Sequence, residues 1–215
     1  MIEVIPAIIA HSQEELEQKI RQVENHVEKI HLDIMDGNFV SNTTVGIEEL
    51  EKIQTNLKVQ VHLMTSKPEE IVGFWTANLK VSEIIFHIEA TDKPVEVIDL
   101  VKKAGKDVGV TLNPETTVDR LDPILDKVDF VQFMTVHPGN YGGEFVESVL
   151  GKISSFHSGH PNVKILVDGA MHIDTTRKVV QAGASTIIMG GHIFSEGRGI
   201  DEAIGEMRDI LNTKY

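Results

Sequence analysis

Alternation is the feature that most constrains how these 215 residues can fold. Short β-branched apolar runs fall near 3–9, 28–34, 57–63, 82–87, 107–112, 128–133, 163–167 and 184–189. The stretches between them carry apolar residues at helical spacing. Strands that alternate with helices pair in parallel through crossover connections. Eight such units in a chain of this length predict an α/β fold, a single (β/α)8 TIM barrel over residues 1–215. A doubly wound open sheet is the alternative. Against it, no GxGxxG turn follows the first strand, which ends Ile8-Ile9-Ala10-His11. Ser12 with Glu15 reads as a capping box before the first helix. Ser66, Pro68 and Glu69 open the third, and Thr116 with Asp119 the fifth. Further helical patterns fall near 45–55, 93–104, 145–156, 173–182 and 199–212.

Composition removes several function classes. The chain has no cysteine, so a metal must be held by His, Asp and Glu. A formal net charge of −13 argues against nucleic acid or an anionic membrane as partner. It leaves room for a small anionic substrate, because backbone N–H groups hold phosphate whatever the net charge. The apolar runs are far shorter than the roughly 20 residues of a membrane span. Met1-Ile2-Glu3-Val4-Ile5 lacks the basic flank of a signal peptide. The expectation is a soluble, cytoplasmic protein.

A barrel gathers the C-terminal ends of its strands at one mouth, where barrel enzymes keep their chemistry. Strand two brings His31 and Asp33, two residues apart and therefore on one face. Strand three brings His62, strand four His87 and Glu89, and strand five Asn113. Strand six brings His137, strand seven Asp168, and strand eight ends Gly190-Gly191-His192. Five of the ten histidines thus fall at predicted strand ends. Converging there, His31, Asp33, His62 and Asp168 form an all-N/O set suited to one divalent ion, Zn²⁺, Fe²⁺, Mn²⁺ or Co²⁺. His87 reads as readily as a core histidine. Asp36-Gly37 reads as a turn. Met35, Met64 and Met134 recur at the mouth and offer an apolar, polarisable lining. Gly169 and Gly190-Gly191 occupy the usual phosphate-binding region of a barrel, and His137-Pro138-Gly139-Asn140-Tyr141-Gly142-Gly143 makes a flexible loop.

These residues resemble the ribulose-phosphate 3-epimerase family over nearly the whole chain. The likeness is carried by Pro6-Ala7-Ile8-Ile9, the run from His31 to Val40, Val61-His62-Leu63-Met64, Leu112-Asn113-Pro114-Glu115-Thr116, Met134-Thr135-Val136-His137-Pro138-Gly139 and Val167-Asp168-Gly169. The resemblance implies a metal-dependent barrel that inverts C3 of a ketose phosphate, D-ribulose 5-phosphate to D-xylulose 5-phosphate, through an enediolate. It implies His31, Asp33, His62 and Asp168 as metal ligands, with Asp33 and Asp168 also the acid/base pair, and a homo-oligomer.

Several positions depart from the family pattern. Ala7 stands where Ser is usual, Ala170 follows Asp168-Gly169 where a second Gly is usual, and His192 follows Gly190-Gly191. In the strand-six loop, Tyr141 replaces a Gly and Gly143 replaces a Gln. The expected substrate and phosphate shell is His62, Met35, Met64, Met134, Gly139, Gly142, Gly143, Gly169, Ala170, Gly190, Gly191 and His192, with His137 a further phosphate contact. The altered loop leaves two alternatives: a 3-epimerase for another ketose phosphate of the allulose 6-phosphate type, or a non-catalytic sugar-phosphate-binding barrel. A decarboxylase or aldolase-like barrel carries Asp-x-Lys-x-x-Asp after a strand, and no Lys lies between His31 and Gly37.

Overall fold

A computed structural model describes residues 2–139, 142–194 and 199–212. The strands β1 (Glu3–Ile8), β2 (Lys29–Met35), β3 (Lys58–Met64), β4 (Val81–His87), β5 (Asp107–Leu112), β6 (Phe130–Met134), β7 (Lys164–Asp168) and β8 (Thr186–Met189) form a closed barrel in sequence order. Every neighbouring pair is parallel, and β8 closes onto β1. The single α/β barrel is the fold that the alternation predicts, and the open sheet is excluded by that closure.

The crossovers carry α1 (Gln13–Val23), α2 (Ile47–Lys52), α3 (Pro68–Ala77), α4 (Pro94–Lys103), α5 (Ser148–Gly159) and α6 (Ile173–Ala182), and α7 (Gly191–Phe194) and α8 (Ile200–Asn212) follow β8. α1 buries Leu16, Ile20 and Val23, one apolar stripe at helical spacing. Its cap is half of the expected box. Ser12 Oγ accepts the Glu15 N–H at 3.2 Å, but the Glu15 carboxylate takes the N–H of His11, at 2.8 Å.

Two helix starts differ from expectation. Pro68 does open α3, yet the cap position is Lys67, in a left-handed conformation (φ 51°) with no side-chain cap. Ser66 instead gives its N–H to Asp36 Oδ2 at 2.8 Å. The fifth helix, expected from Thr116 and Asp119, is absent among the described residues. The β5–β6 connection holds two 3₁₀ turns, Val118–Leu121 and Leu125–Lys127. Pro123 lies between them and lacks an N–H, so it leaves out a rung of any α-helical ladder that would join them. Upstream carbonyls are satisfied from elsewhere: Lys152 Nζ donates to the carbonyls of Asn113, Pro114 and Thr116 at 3.2, 2.6 and 2.6 Å.

Alternate residues of each strand face inward, and they sort into layers along the barrel axis. Charged residues occupy the N-terminal end, where Glu3 pairs with Lys164 at 3.0 Å and Lys29 pairs with Glu83. Ile5, Ala7, Ile85, Phe130, Leu166 and Ile188 form an apolar plug above them. The His and Asp side chains stand toward the mouth. Gly109 makes the plug possible, because a Cβ there would lie 2.0 Å from the Phe130 ring. The ring is buried and cannot yield. Gly109→Ala is therefore expected to cost about 3 kcal/mol, the upper range for overpacking. A urea midpoint equal to that of the wild type is the result that refutes this account of the plug.

Candidate metal centre and active site

β2 and β3 pair in register so that Asp33 lies beside His62 and Met35 beside Met64. Inward alternation then puts His31, Asp33 and Met35 of β2 on the same side as His62 and Met64 of β3. Thr44 secures the end of β2: its hydroxyl accepts the Met35 N–H and donates to the Asp33 carbonyl, both at 2.9 Å. Asp36 does more than turn the chain. Oδ1 accepts the N–H groups of Asn38 and Phe39, and Oδ2 accepts that of Ser66, joining the loops after β2 and β3. Burial opposes ionisation of Asp36, but these three bonds outweigh it and hold its carboxyl below the usual range. Asp168 is fixed through its backbone, whose carbonyl accepts the Thr135 N–H at 2.8 Å. Gly169 (φ 114°) and Ala170 (φ 49°) then bend the chain sharply. The Ala170 conformation costs about 1 kcal/mol that glycine would avoid. A Cβ on Gly169 would lie 2.5 Å from Val136.

The four residues singled out in the sequence do meet. His31, Asp33, His62 and Asp168 each offer a ligand atom, and all four atoms lie within 4.8 Å of one another. His31 Nε2 stands 3.3 Å from Asp33 Oδ1 and 3.7 Å from Asp168 Oδ2. His62 Nδ1 stands 2.9 Å from Asp33 Oδ1 and 3.7 Å from Asp168 Oδ2. His31 Nε2 is buried without a hydrogen-bond partner.

The neighbours of His62 show what this arrangement needs. His62 Nε2 lies 3.0 Å from His87 Nε2, and His87 Nδ1 lies 3.4 Å from Glu89 Oε2. A carboxylate only accepts, so the His87 proton belongs on Nδ1, facing Glu89. His87 Nε2 then accepts from His62 Nε2–H, and His62 Nδ1 turns a lone pair toward Asp33. Two imidazole lone pairs and two carboxylates facing one another are held together by a cation, so the residues fit a divalent ion. Without an ion, a proton supplies the positive charge. Burial disfavours the charged His31 ring, but the Asp33 and Asp168 carboxylates and Gln60 outweigh it and lift its pKa to about 9. Burial dominates at His62, whose pKa falls to about 3 with the charges of His87 and His31 adding to the effect.

The two carboxylates diverge. Burial raises both. At Asp33 the adjacent His31 and His62 rings reverse it and hold the group below its ordinary value. At Asp168 the Asp33 charge adds to burial and pushes the group up. Carboxylates whose environments drive them apart in this way are the pattern of an acid/base pair.

Both carboxylates open onto a cavity of about 470 Å³ at the barrel mouth. Met35, Met64, Met134, Gly139, Gly142, Gly143, Gly169, Ala170, Gly190, Gly191 and His192 line it, while His31 and His62 lie fully buried below. His137 does not join them: its ring is exposed and its Nε2 pairs with Glu115 at 2.7 Å. Asn140 and Tyr141 lie outside the described residues. A side chain on Gly143 would press Val136, 2.9 Å from its Cβ, so glycine suits this position. Beyond the expected set, His172, Met171 and Phe145 also line the cavity. His87, which its sequence context leaves open between core and mouth, is the support of His62.

With that geometry in place, the sequence matches the ribulose-phosphate 3-epimerase family model over residues 3–194. The chain belongs to the ribulose-phosphate 3-epimerase family. The ribulose-phosphate 3-epimerase of Bacillus subtilis is 35% identical, over 97% of this chain and 99% of that one. Those of Methanocaldococcus jannaschii and Schizosaccharomyces pombe are 32% and 30% identical, each over 97% of this chain and over 91% and 93% of theirs. As a ribulose-phosphate 3-epimerase-like protein, the chain is an isomerase of carbohydrate chemistry. Two solved structures share its fold: KGPDC from Streptococcus mutans (TM-score 0.73, 16% identity, 98% and 97% of the two chains) and a 3-hexulose-6-phosphate synthase (TM-score 0.70, 18% identity, 98% and 99%). Among the described residues no helix is long and apolar enough to cross a membrane.

Proposed function

We propose that this epimerase inverts C3 of a ketose phosphate, interconverting D-ribulose 5-phosphate and D-xylulose 5-phosphate. The observation that carries the reading is the pair Asp33 and Asp168, two carboxylates that open onto one cavity and whose ligand atoms share the 4.8 Å span of the cluster. Asp33, the better anion, removes the C3 proton from one face of the substrate and leaves an enediolate. Asp168, the better proton holder, delivers a proton to the opposite face, and the roles exchange in the reverse direction. Around the closed barrel β1 and β8 stand between β2 and β7 one way, and β3 to β6 the other. That separation lets the two groups approach a bound sugar from different sides.

His31, Asp33, His62 and Asp168 would hold one divalent ion. When bound, such an ion supplies a Lewis acid that stabilises the negative charge developing beside the carbonyl carbon. Met35, Met64 and Met134 give the planar intermediate an apolar surface and keep water from quenching it. Gly169, Ala170, Gly190, Gly191 and His192 lie together on the β7–β8 side of the cavity and would hold the phosphate.

Incubating the protein with D-ribulose 5-phosphate and Mn²⁺ or Fe²⁺, and following D-xylulose 5-phosphate, tests the reading. Turnover in both directions is expected. A marked preference for a hexulose 6-phosphate in the same assay would transfer the assignment to that substrate. Binding without turnover under every metal would reduce the protein to a sugar-phosphate binder.

A further inference from the structure

His31 is held from below by a chain of polar groups that the proposed reaction does not use. Its Nδ1 lies 2.7 Å from Gln60 Oε1. Gln60 Nε2 donates to Glu83 Oε2, and Lys29 Nζ binds the other oxygen of the same carboxylate, Glu83 Oε1. His31 and Gln60 are fully buried, and Glu83 is 7% exposed. We propose that Glu83, anchored by Lys29, acts through the Gln60 amide to fix which ring nitrogen of His31 is presented to the metal centre. Glu83, Gln60 and Lys29 are thus positioning residues. The inference rests on the reading of His31 as a metal ligand.

Donors and acceptors set the direction of the chain. A carboxylate accepts at both oxygens, so Glu83 receives Lys29 on one side and an N–H on the other. Only the NH₂ end of Gln60 can satisfy the second oxygen. The amide oxygen of Gln60 must then point at His31, where it needs a donor. In the neutral ring that a metal requires, Nδ1 therefore carries the proton, and the Nε2 lone pair is left to face Asp33 and Asp168. Strand periodicity makes the arrangement possible: Gln60 and His62 are two apart on β3, and Glu83 pairs with Gln60 in the β3–β4 register. An alternation that points His62 at the mouth necessarily points Gln60 inward, one layer down.

Glu83→Gln tests the chain without changing its shape. Lys29 remains beside Glu3, 3.5 Å away, and still demands an acceptor at position 83. The new amide gives Lys29 its oxygen and turns its NH₂ toward Gln60. Gln60 must flip, its NH₂ then faces His31 Nδ1, and the ring proton is driven to Nε2, where the metal should bind. Zn²⁺ affinity, measured by competition with a chromophoric chelator, is expected to fall by roughly 10- to 100-fold, the usual effect of losing a partner of a ligating histidine. Adding Lys29→Met removes the demand that forces the flip and is expected to recover much of that loss. In the Zn²⁺-loaded wild type, nitrogen-15 NMR should show a His31 Nδ1–H protected from solvent exchange, and the protection should be lost in E83Q.

Wild-type affinity and Nδ1–H protection in E83Q would overturn the proposal. So would an affinity loss that K29M/E83Q deepens rather than relieves. Should E83Q fail to fold, Gln60→Met carries the test, since it removes the acceptor of the His31 proton while the Glu83 charge stays paired with Lys29, and unchanged Zn²⁺ affinity there is fatal. A wild-type protein that binds no divalent ion defeats the metal reading itself, a result distinct from normal binding with an indifferent E83Q.

Discussion

Asp168→Asn is expected to lower epimerisation by roughly 10²- to 10⁴-fold, the range for loss of a positioned acid/base. The carboxamide keeps the shape and an oxygen toward the centre but cannot hold or release a proton at working pH. The size of the loss is less informative than its asymmetry. With Asp33 intact, the substrate epimer whose C3 proton faces Asp33 should still lose it, exchange it with solvent and regain it on the same face. In deuterated water Asp168→Asn should therefore label C3 of one epimer without inverting it. Asp33→Asn should label the other epimer. Two variants that exchange the same epimer, or an Asn variant that epimerises at the wild-type rate, would remove the two-base mechanism. Asp33 contacts both His31 and His62. Its replacement should also weaken metal binding, so its exchange is to be measured at saturating Mn²⁺.

How far the sequence discloses this site depends on the kind of information each residue carries. His31 and Asp33 are legible because strand alternation has a period of two and places both on one face. His62 and Asp168 are legible because barrel closure sends every strand end to the same mouth. Each of the four also has a side chain whose chemistry announces itself. Gln60 has none, and its importance arises from a pairing between β3 and β4 that one strand alone does not show. His87 resembles a core histidine because its function is to contact another side chain. His137 is expected at the phosphate, but the strand-six loop turns it outward to Glu115, and loop direction has no periodicity to read. Thr116 and Asp119 suggest a fifth helix that Pro123, the stronger local signal, prevents. Asp36-Gly37 reads as a simple turn, although the Asp36 carboxylate ties together two loops far apart in sequence.

Removing the metal is expected to abolish epimerisation and also to lower thermal stability, and the second effect isolates the centre from the chemistry. The barrel buries two imidazoles and two carboxylates with their ligand atoms within 4.8 Å. Burying charge without a partner is costly, and like charges at this distance oppose each other. An ion that binds the folded centre and not the unfolded chain contributes about 2.7 kcal/mol when present at 100 times its Kd. For a chain of this size that corresponds to roughly 5–10 °C in Tm. Dialysis against a chelator should produce that drop, and Zn²⁺, Fe²⁺, Mn²⁺ or Co²⁺ should reverse it without substrate present. His62→Ala should remove the metal-dependent part of Tm, because it deletes one ligand and leaves the others facing an incomplete shell. A metal-independent Tm in the wild type, with activity surviving exhaustive chelation, would mean that the cluster holds itself together by protons alone. The Lewis-acid contribution would then have to be replaced by the imidazolium of His31, whose raised pKa of about 9 makes it the one group in the cluster able to carry that charge at neutral pH.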